Sequence, residues 1–552
     1  MSLYNPNFII NSNSRTNSNN ETNNKNSKNS NINSNKSKNS NRNSKNSKKS
    51  KKSKISKNSN INSISIKQSS FFELSNKSKY LYNLYKSPQF KSITNALPNI
   101  ITNDFKQLLK KLYLQFKEHE PIINKINIEN SRTIVSSKNA TIKITHILKT
   151  IFINNRYIDN TIFNYINTNI DKCTIISYEN TINEQTFTFN FIIYEKINLK
   201  KLNYCVKAML LILQVIISIS NNKKVTASNT SNICNINGLR LNIFMTHFAK
   251  KFDLDSSNVL GAKNINSGLT HPCLKTGEIY IYRKHEFFKV FIHETLHSYN
   301  VDLLLRNNYD SNTNYQSLIN TFNIAHFANS YNKIGLNESI TEFWTFIIHI
   351  FVYCYNKSSN LKTLEFYFER FYKYELVHSY FQVAKILYKN NLNYSQFLRP
   401  NAQPQIGTVL YNEASHILSY IFFKTLLVFN VNKVIQSNIF NFKIHSLDLV
   451  DLDIKMSAID DLFIMLKNFS LNNDAHTIIN NSYTIYKNYI ALLKPDKKIT
   501  LKKVPLLKLY TKKQIQKNKT IYSINKSSNL NKFNNLNFLI TNLNFMFVDY
   551  VI

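Results

Sequence analysis

Glycine and proline are scarce in this 552-residue chain, at 6 and 9 residues, and acids number 32 against 70 lysines and arginines. With plentiful Asn, Lys, Ile, Tyr and Phe, this is the bias of A- and T-rich coding DNA, so the net charge of +38 argues less for a nucleic-acid partner than its size suggests. The five cysteines, Cys173, Cys205, Cys234, Cys273 and Cys354, are scattered without close pairing. That excludes a disulfide framework and predicts reduced thiols in a cytosol-like compartment. The apolar run Ala208 to Ile219 is about a dozen residues, short of the ~20 that cross a bilayer, so a buried helix and no membrane span are expected. Met1 to Ile10 is only briefly apolar and lacks a small-residue cleavage site, so no secretory signal is read and an intracellular location is expected.

What is present, and what composition does not explain, is His293-Glu294-Thr295-Leu296-His297. It reads His-Glu-x-x-His inside a helix-compatible segment, Glu286 to Tyr299, and arises by chance about 1% of the time at this chain's His and Glu frequencies. Histidines four apart project from one helix face and can bind a single ion. Glu294 sits about 100° round the helix from His293, where it can reach a metal-bound water without binding the metal. Zn²⁺ held by three protein ligands keeps an open position for water, and a nearby carboxylate can serve as general base.

A third ligand is needed. The metzincin pattern requires Gly at 300 and His at 303, and the chain has Asn300 and Leu303. Downstream, Gly335 to Trp344 offers a second helix with Glu338 and Glu342 on one face. Glu338 would complete a His₂Glu site, and Glu342 could accept the free ring N–H of a ligating histidine. Asp302 and His326, both close to the motif, are rival ligands.

Asn337-Glu338-x-Ile340-Thr341-Glu342 resembles the Asn-Glu-x-x-Ser-Asp segment of thermolysin-like proteases, and Leu336-Asn337-Glu338 is similar to the Leu-Asn-Glu of zinc aminopeptidases. Both belong to the gluzincins. The resemblance runs from Gly277 to Thr345 and implies His293, His297 and Glu338 as zinc ligands, Glu294 as base, Glu342 as the orienting carboxylate, and a peptide or protein substrate. Its departure is spacing, because Ser298 to Leu336 separate His297 from Glu338 by roughly twice the usual distance; a helix at Tyr315 to Ala328 is expected within that connection. The stretch from Ile281 to Asp302 is also similar to zincin-like proteins of large DNA viruses, which implies a virion or infected-cell location. A zincin further needs an oxyanion-stabilising group. Tyr411, His416 and Tyr420, on a predicted helix from Val409 to Phe429, are the candidates, with Tyr420 preferred. Tyrosines number 32, so any single one is more often a packing residue. His349, far along the Glu338 stripe, is read as core.

The rest of the chain divides by composition. Residues 1–70 form an Asn/Ser/Lys-rich tail in which Glu21 is the only acid beyond residue 10, and disorder is expected. Residues 71–284 read as a helix at Asp104 to Phe116, strands at Ala140 to Phe152, Cys173 to Glu179 and Thr186 to Glu195, a helix at Leu199 to Ile219 and a strand at Leu241 to Thr246. Gly277 to Arg283 alternates as a strand, either an edge that pairs with substrate or part of the core. Cys273 and His271 could form a metal pair, against a plain loop. Residues 285–495 are helical in pattern, with Glu338 to Tyr355, Leu361 to Lys389 and Leu447 to Phe469 following the motif helix. Residues 496–552 form a basic extension. The fold class is α+β, a zincin-like core in which a small mixed sheet precedes the active-site helix and a mostly helical half follows it. Two functions remain open: a zinc peptidase, and a non-enzymatic binder of nucleic acid, an anionic surface or a virion component through the basic ends, 1–70 and Lys497 to Lys526.

Overall fold

The computed structural model describes residues 70–151, 158–220, 234–235, 237–254, 258–307, 309–325, 334–399, 409–437, 439–440, 456–493 and 534–550. The tail at 1–70, apart from its last position, lies outside the described residues, as do His326 and the basic stretch 497–526.

Six strands make a mixed sheet: β1 Arg132–Ser136, β2 Thr174–Ile182, β3 Gln185–Ile193, β4 Gly238–Phe244, β5 Gly268–His271 and β6 Thr276–Ile281, in the order β1-β2-β3-β4-β6-β5. β1, β2 and β3 are antiparallel neighbours, β4 runs parallel to both β3 and β6, and β5 returns antiparallel along the outer edge. The β2–β3 hairpin turns on Asn183 and Glu184, both at positive φ (49° and 66°), as a two-residue hairpin loop requires. The Gly277 to Arg283 alternation therefore marks an interior strand; the edge is Gly268–His271, too short to show a period.

The longer helices that build the site and its surroundings are, in chain order, α1 Asn103–Lys125, α2 Ser137–Ile151, α3 Leu199–Ser220, α4 Phe287–Ser298, α5 Leu336–Lys357, α6 Leu361–Lys389, α7 Ser419–Phe429 and α8 Asn473–Leu493, with shorter ones between them. α2 corrects the expected strand at Ala140 to Phe152. Ala140, Ile144, Ile147 and Leu148 recur at helical spacing and are buried together, while the β-branched content of the segment had suggested a strand. The helix expected at Tyr315 to Ala328 is the single short helix Thr313–Ile319. Residues 409–416 are not helical: the Glu413 carboxylate accepts the N–H of Leu418 at 2.7 Å and caps the chain just before α7, whose first turn, Ser419–Phe423, is π-helical. Within Leu447 to Phe469 the described helix is Ile459–Ser470.

α3 is long and apolar enough to cross a membrane by length and composition, yet most of it is buried, Asn203, Lys207 and Gln214 included, and it packs on α1 and α4 as a core helix. Two of the cysteines expected to be reduced are joined: Cys234 and Cys273 form a disulfide across 39 residues of sequence, which removes Cys273 from any metal pair with His271. That pairing was invisible in the spacing because it is made by a loop that the β4–β6 ladder brings back beside residue 234. Cys173, Cys205 and Cys354 are free and buried.

One main core runs from Phe71 to Tyr550. The last described stretch belongs to it. Residues 542–550 thread between α4 and α6, with Met546 N–H donating to Glu286 Oε1 at 3.0 Å and Phe547 and Val548 N–H donating to Glu375 at 3.0 and 2.8 Å. Burial pushes the Glu375 carboxyl up to about 8, against the pull of those two N–H donors. α4 lies between the β5–β6 edge and α5, which positions everything that follows.

Candidate metal centre

α4 reads Phe-Phe-Lys-Val-Phe-Ile-His-Glu-Thr-Leu-His-Ser, apolar over more than one face, and all twelve residues are buried. Polar groups inside such a helix cost free energy unless each finds a partner. The helix ends in a Schellman turn: Val301 N–H donates to Leu296 O at 3.1 Å, Asn300 N–H donates to His297 O at 3.0 Å, and Asn300 takes the left-handed conformation at φ 58°. This turn folds Asp302 back against His297. On the facing helix, Glu338 stands in the first turn of α5, where the N-terminal dipole favours an anion.

The three polar atoms converge. His293 Nε2 and His297 Nε2 are 3.0 Å apart, and Glu338 Oε2 is 3.2 Å from the first and 3.1 Å from the second. Ligand atoms held tetrahedrally at about 2.0–2.1 Å stand about 3.3 Å from one another, so this triangle fits one small cation. The buried group His293, His297 and Glu338 could therefore hold a metal ion.

The outer ring nitrogens are held in turn. His297 Nδ1 donates to Asp302 Oδ2 at 2.8 Å, and His293 Nδ1 lies 2.9 Å from Glu342 Oε1, within ion-pair range but short of hydrogen-bond alignment. A carboxylate can only accept, so Asp302 keeps a proton on His297 Nδ1 and Glu342 favours one on His293 Nδ1, which leaves the Nε2 atoms as the ones that would face a metal ion. Two buried cations anchor the carboxylates. Arg306 Nε donates to Asp302 Oδ2 at 3.0 Å, its terminal nitrogens reach Asp302 Oδ1, His297 O and Asn300 Oδ1, and Lys289 Nζ pairs with Glu342. Burial raises the Glu342 pKa, but Lys289 and His293 outweigh it and hold the carboxyl down at about 2. Burial likewise lowers the His297 pKa, but Asp302 and Glu338 outweigh it and push it up to about 9 without a metal, so a metal ion must displace a proton there. Asn337 Nδ2 completes the frame, donating to Asp302 Oδ2 at 3.2 Å and to Glu338 Oε1 at 3.3 Å.

Asp302 thus stands behind a ligand rather than in the triangle; Arg306 and Lys289 were not singled out from sequence, and Asn337 was quoted there without a role. The signal for Arg306 was its position four residues after Asp302. Asp302→Ala should lower metal affinity by about 10–100-fold, with Asp302→Asn, which keeps an acceptor, losing less. Titration with a zinc-sensitive dye checks this; equal affinity in all three proteins contradicts the orienting role.

Of the oxyanion candidates, Tyr411 is turned away, its hydroxyl donating to Glu413 Oε2 at 2.8 Å. His416 lies beside Gly335, at the start of α5. Tyr420, in the π turn, lines the same cavity as Glu294, its ring centroid 6.0 Å from that of His293. Burial and the carboxylates of Glu338, Glu294 and Glu342 push its hydroxyl pKa well up, so it keeps its proton as a donor. His349 is core, buried against Phe288 and Tyr550, with burial pulling its pKa down to about 3. No protein-family model matches the chain, nor does any curated protein or solved structure.

Proposed function

We propose that the protein is a zinc-dependent peptidase of gluzincin type, in which His293, His297 and Glu338 hold the ion. The observation that carries this reading is a buried carboxylate with an unpartnered oxygen beside the ligand triangle. Glu294 is 4% exposed, and its Oε2 has no hydrogen-bond partner among the described residues. A buried carboxylate oxygen without a partner costs stability, and such unpaired polar atoms are retained where function needs them. A zinc ion in this donor set supplies Lewis acidity to a peptide carbonyl and acidifies a water.

The chain's own groups do the rest. Glu294 takes the proton of the attacking water and returns it to the leaving amine nitrogen. The Tyr420 hydroxyl donates to the carbonyl oxygen as charge gathers there. Asp302 and Glu342 keep the imidazoles in register. β5 pairs on one side only among the described residues, with β6, so its outer edge can take an extended peptide through main-chain hydrogen bonds.

Gly268 opens that edge strand, and a Cβ there would lie 2.8 Å from Glu294 Oε1 and 2.8 Å from Val290 Cγ1. Gly268→Ala should displace the flexible end of the Glu294 side chain and press on the stiffer Val290, so zinc content stays near wild type while the thermal midpoint drops modestly and kcat falls. An unchanged kcat contradicts the placement. The reading as a whole is tested by peptide hydrolysis before and after chelation: activity is lost with the metal and restored by zinc, and hydrolysis that survives complete chelation contradicts it.

A further inference from the structure

One cavity abuts both Glu294 and His293. Among the described residues, its walls include Gly268 and Leu269 of β5, Val290 and Glu294 of α4, Tyr420 of α7, and Phe545. Its volume is only about 30 Å³, room for little more than a water molecule or a methyl group. Phe545 arrives from the far end of the chain on the threaded 542–550 segment. It stacks on Tyr420 with ring centroids 5.3 Å apart, and the Nζ atoms of Lys250 and Lys289 lie 3.9 and 4.2 Å from its centroid. Three aromatic and cationic contacts of this kind hold a ring in one place far better than packing alone. The two lysines are already paired, Lys250 with Glu286 at 3.0 Å and Lys289 with Glu342, so the cavity has no surplus cation to attract an acidic side chain.

We infer that Phe545 is a specificity-determining residue: it closes the cavity beside Glu294 so that the substrate side chain next to the scissile bond must be small and uncharged, Gly, Ala or Ser. The inference rests on the peptidase reading, because a bond attacked with Glu294 as base places a flanking residue of the substrate against this wall. A larger side chain would overpack a space bounded by a ring with no room to retreat.

The test is cleavage of a randomised peptide library by the zinc-loaded full-length chain, read by mass spectrometry, for wild type, Phe545→Ala and Val290→Ala. Val290→Ala trims the opposite wall and decides the matter if Phe545→Ala fails to hold zinc. Wild type should select Gly, Ala or Ser at one position flanking the cut, and the variants should gain at least about tenfold for Val and Leu at that position with zinc content unchanged. Wild type that cuts beside large side chains on both flanks, or an active Phe545→Ala with wild-type preference, overturns the inference and leaves the peptidase reading standing. If zinc-loaded wild type cuts no peptide, both fall.

Discussion

Glu294→Gln should keep a full equivalent of zinc and lose peptide hydrolysis by about 10²–10⁴-fold, the usual contribution of a positioned general base. The amide matches the carboxylate in shape but cannot take a proton. The same change removes a buried charge whose Oε2 has no partner among the described residues, so the thermal midpoint should stay level or rise. Loss of rate with zinc retained and the fold intact separates a proton-transfer role from a structural one. A Gln variant that hydrolyses peptides at the wild-type rate removes Glu294 from the chemistry, and one that loses its zinc places it among the ligands.

The second large effect is at the other helix. Glu338→Ala takes from the triangle its only anion, which stands 3.1 and 3.2 Å from the two imidazole nitrogens. Two neutral imidazoles then remain to hold a divalent cation at a buried site, and zinc affinity should fall by more than the 10–100-fold that follows loss of an outer partner. Hydrolysis should disappear with the metal. Excess zinc should restore part of it if His293 and His297 still bind weakly, and the fold should survive, since the change also removes the cost of holding a fully buried carboxylate. Glu342→Ala is the contrast: it unties Lys289 and the His293 ring but leaves the triangle intact, so its loss of affinity should stay in the smaller range. Equal losses in the two variants contradict the division between ligand and orienting group.

How much of this was legible depended on whether the signal was local. The motif needed only the 3.6-residue turn to put His293 and His297 together, and Glu338 was reachable because its i, i+4 partner Glu342 marked a carboxylate face on a second helix. The strands β2 and β3, though not their pairing, and α6 were equally plain from pattern. Groups whose meaning depends on a tertiary approach were not. Arg306 and Lys289 look like ordinary cations until the Schellman turn and the α4–α5 packing set them on Asp302 and Glu342. The Cys234–Cys273 bond depends on a loop closing across two strands, and the burial of residues 539–550 depends on acceptors at Glu286 and Glu375, far away in sequence. α2 misled for a different reason: Ile and Thr favour strands, but the spacing of Ala140, Ile144, Ile147 and Leu148 suits one buried helical face, and packing prevailed over propensity.

Everything turns on one cation bound by two imidazoles and one carboxylate. Zinc-edge X-ray absorption on protein loaded with a single equivalent measures that directly. The account predicts two imidazole nitrogens and carboxylate oxygen at about 2.0–2.1 Å, with the imidazole signal reduced by half in His293→Ala. A spectrum dominated by sulfur at about 2.3 Å, or one unchanged by that substitution, would contradict it.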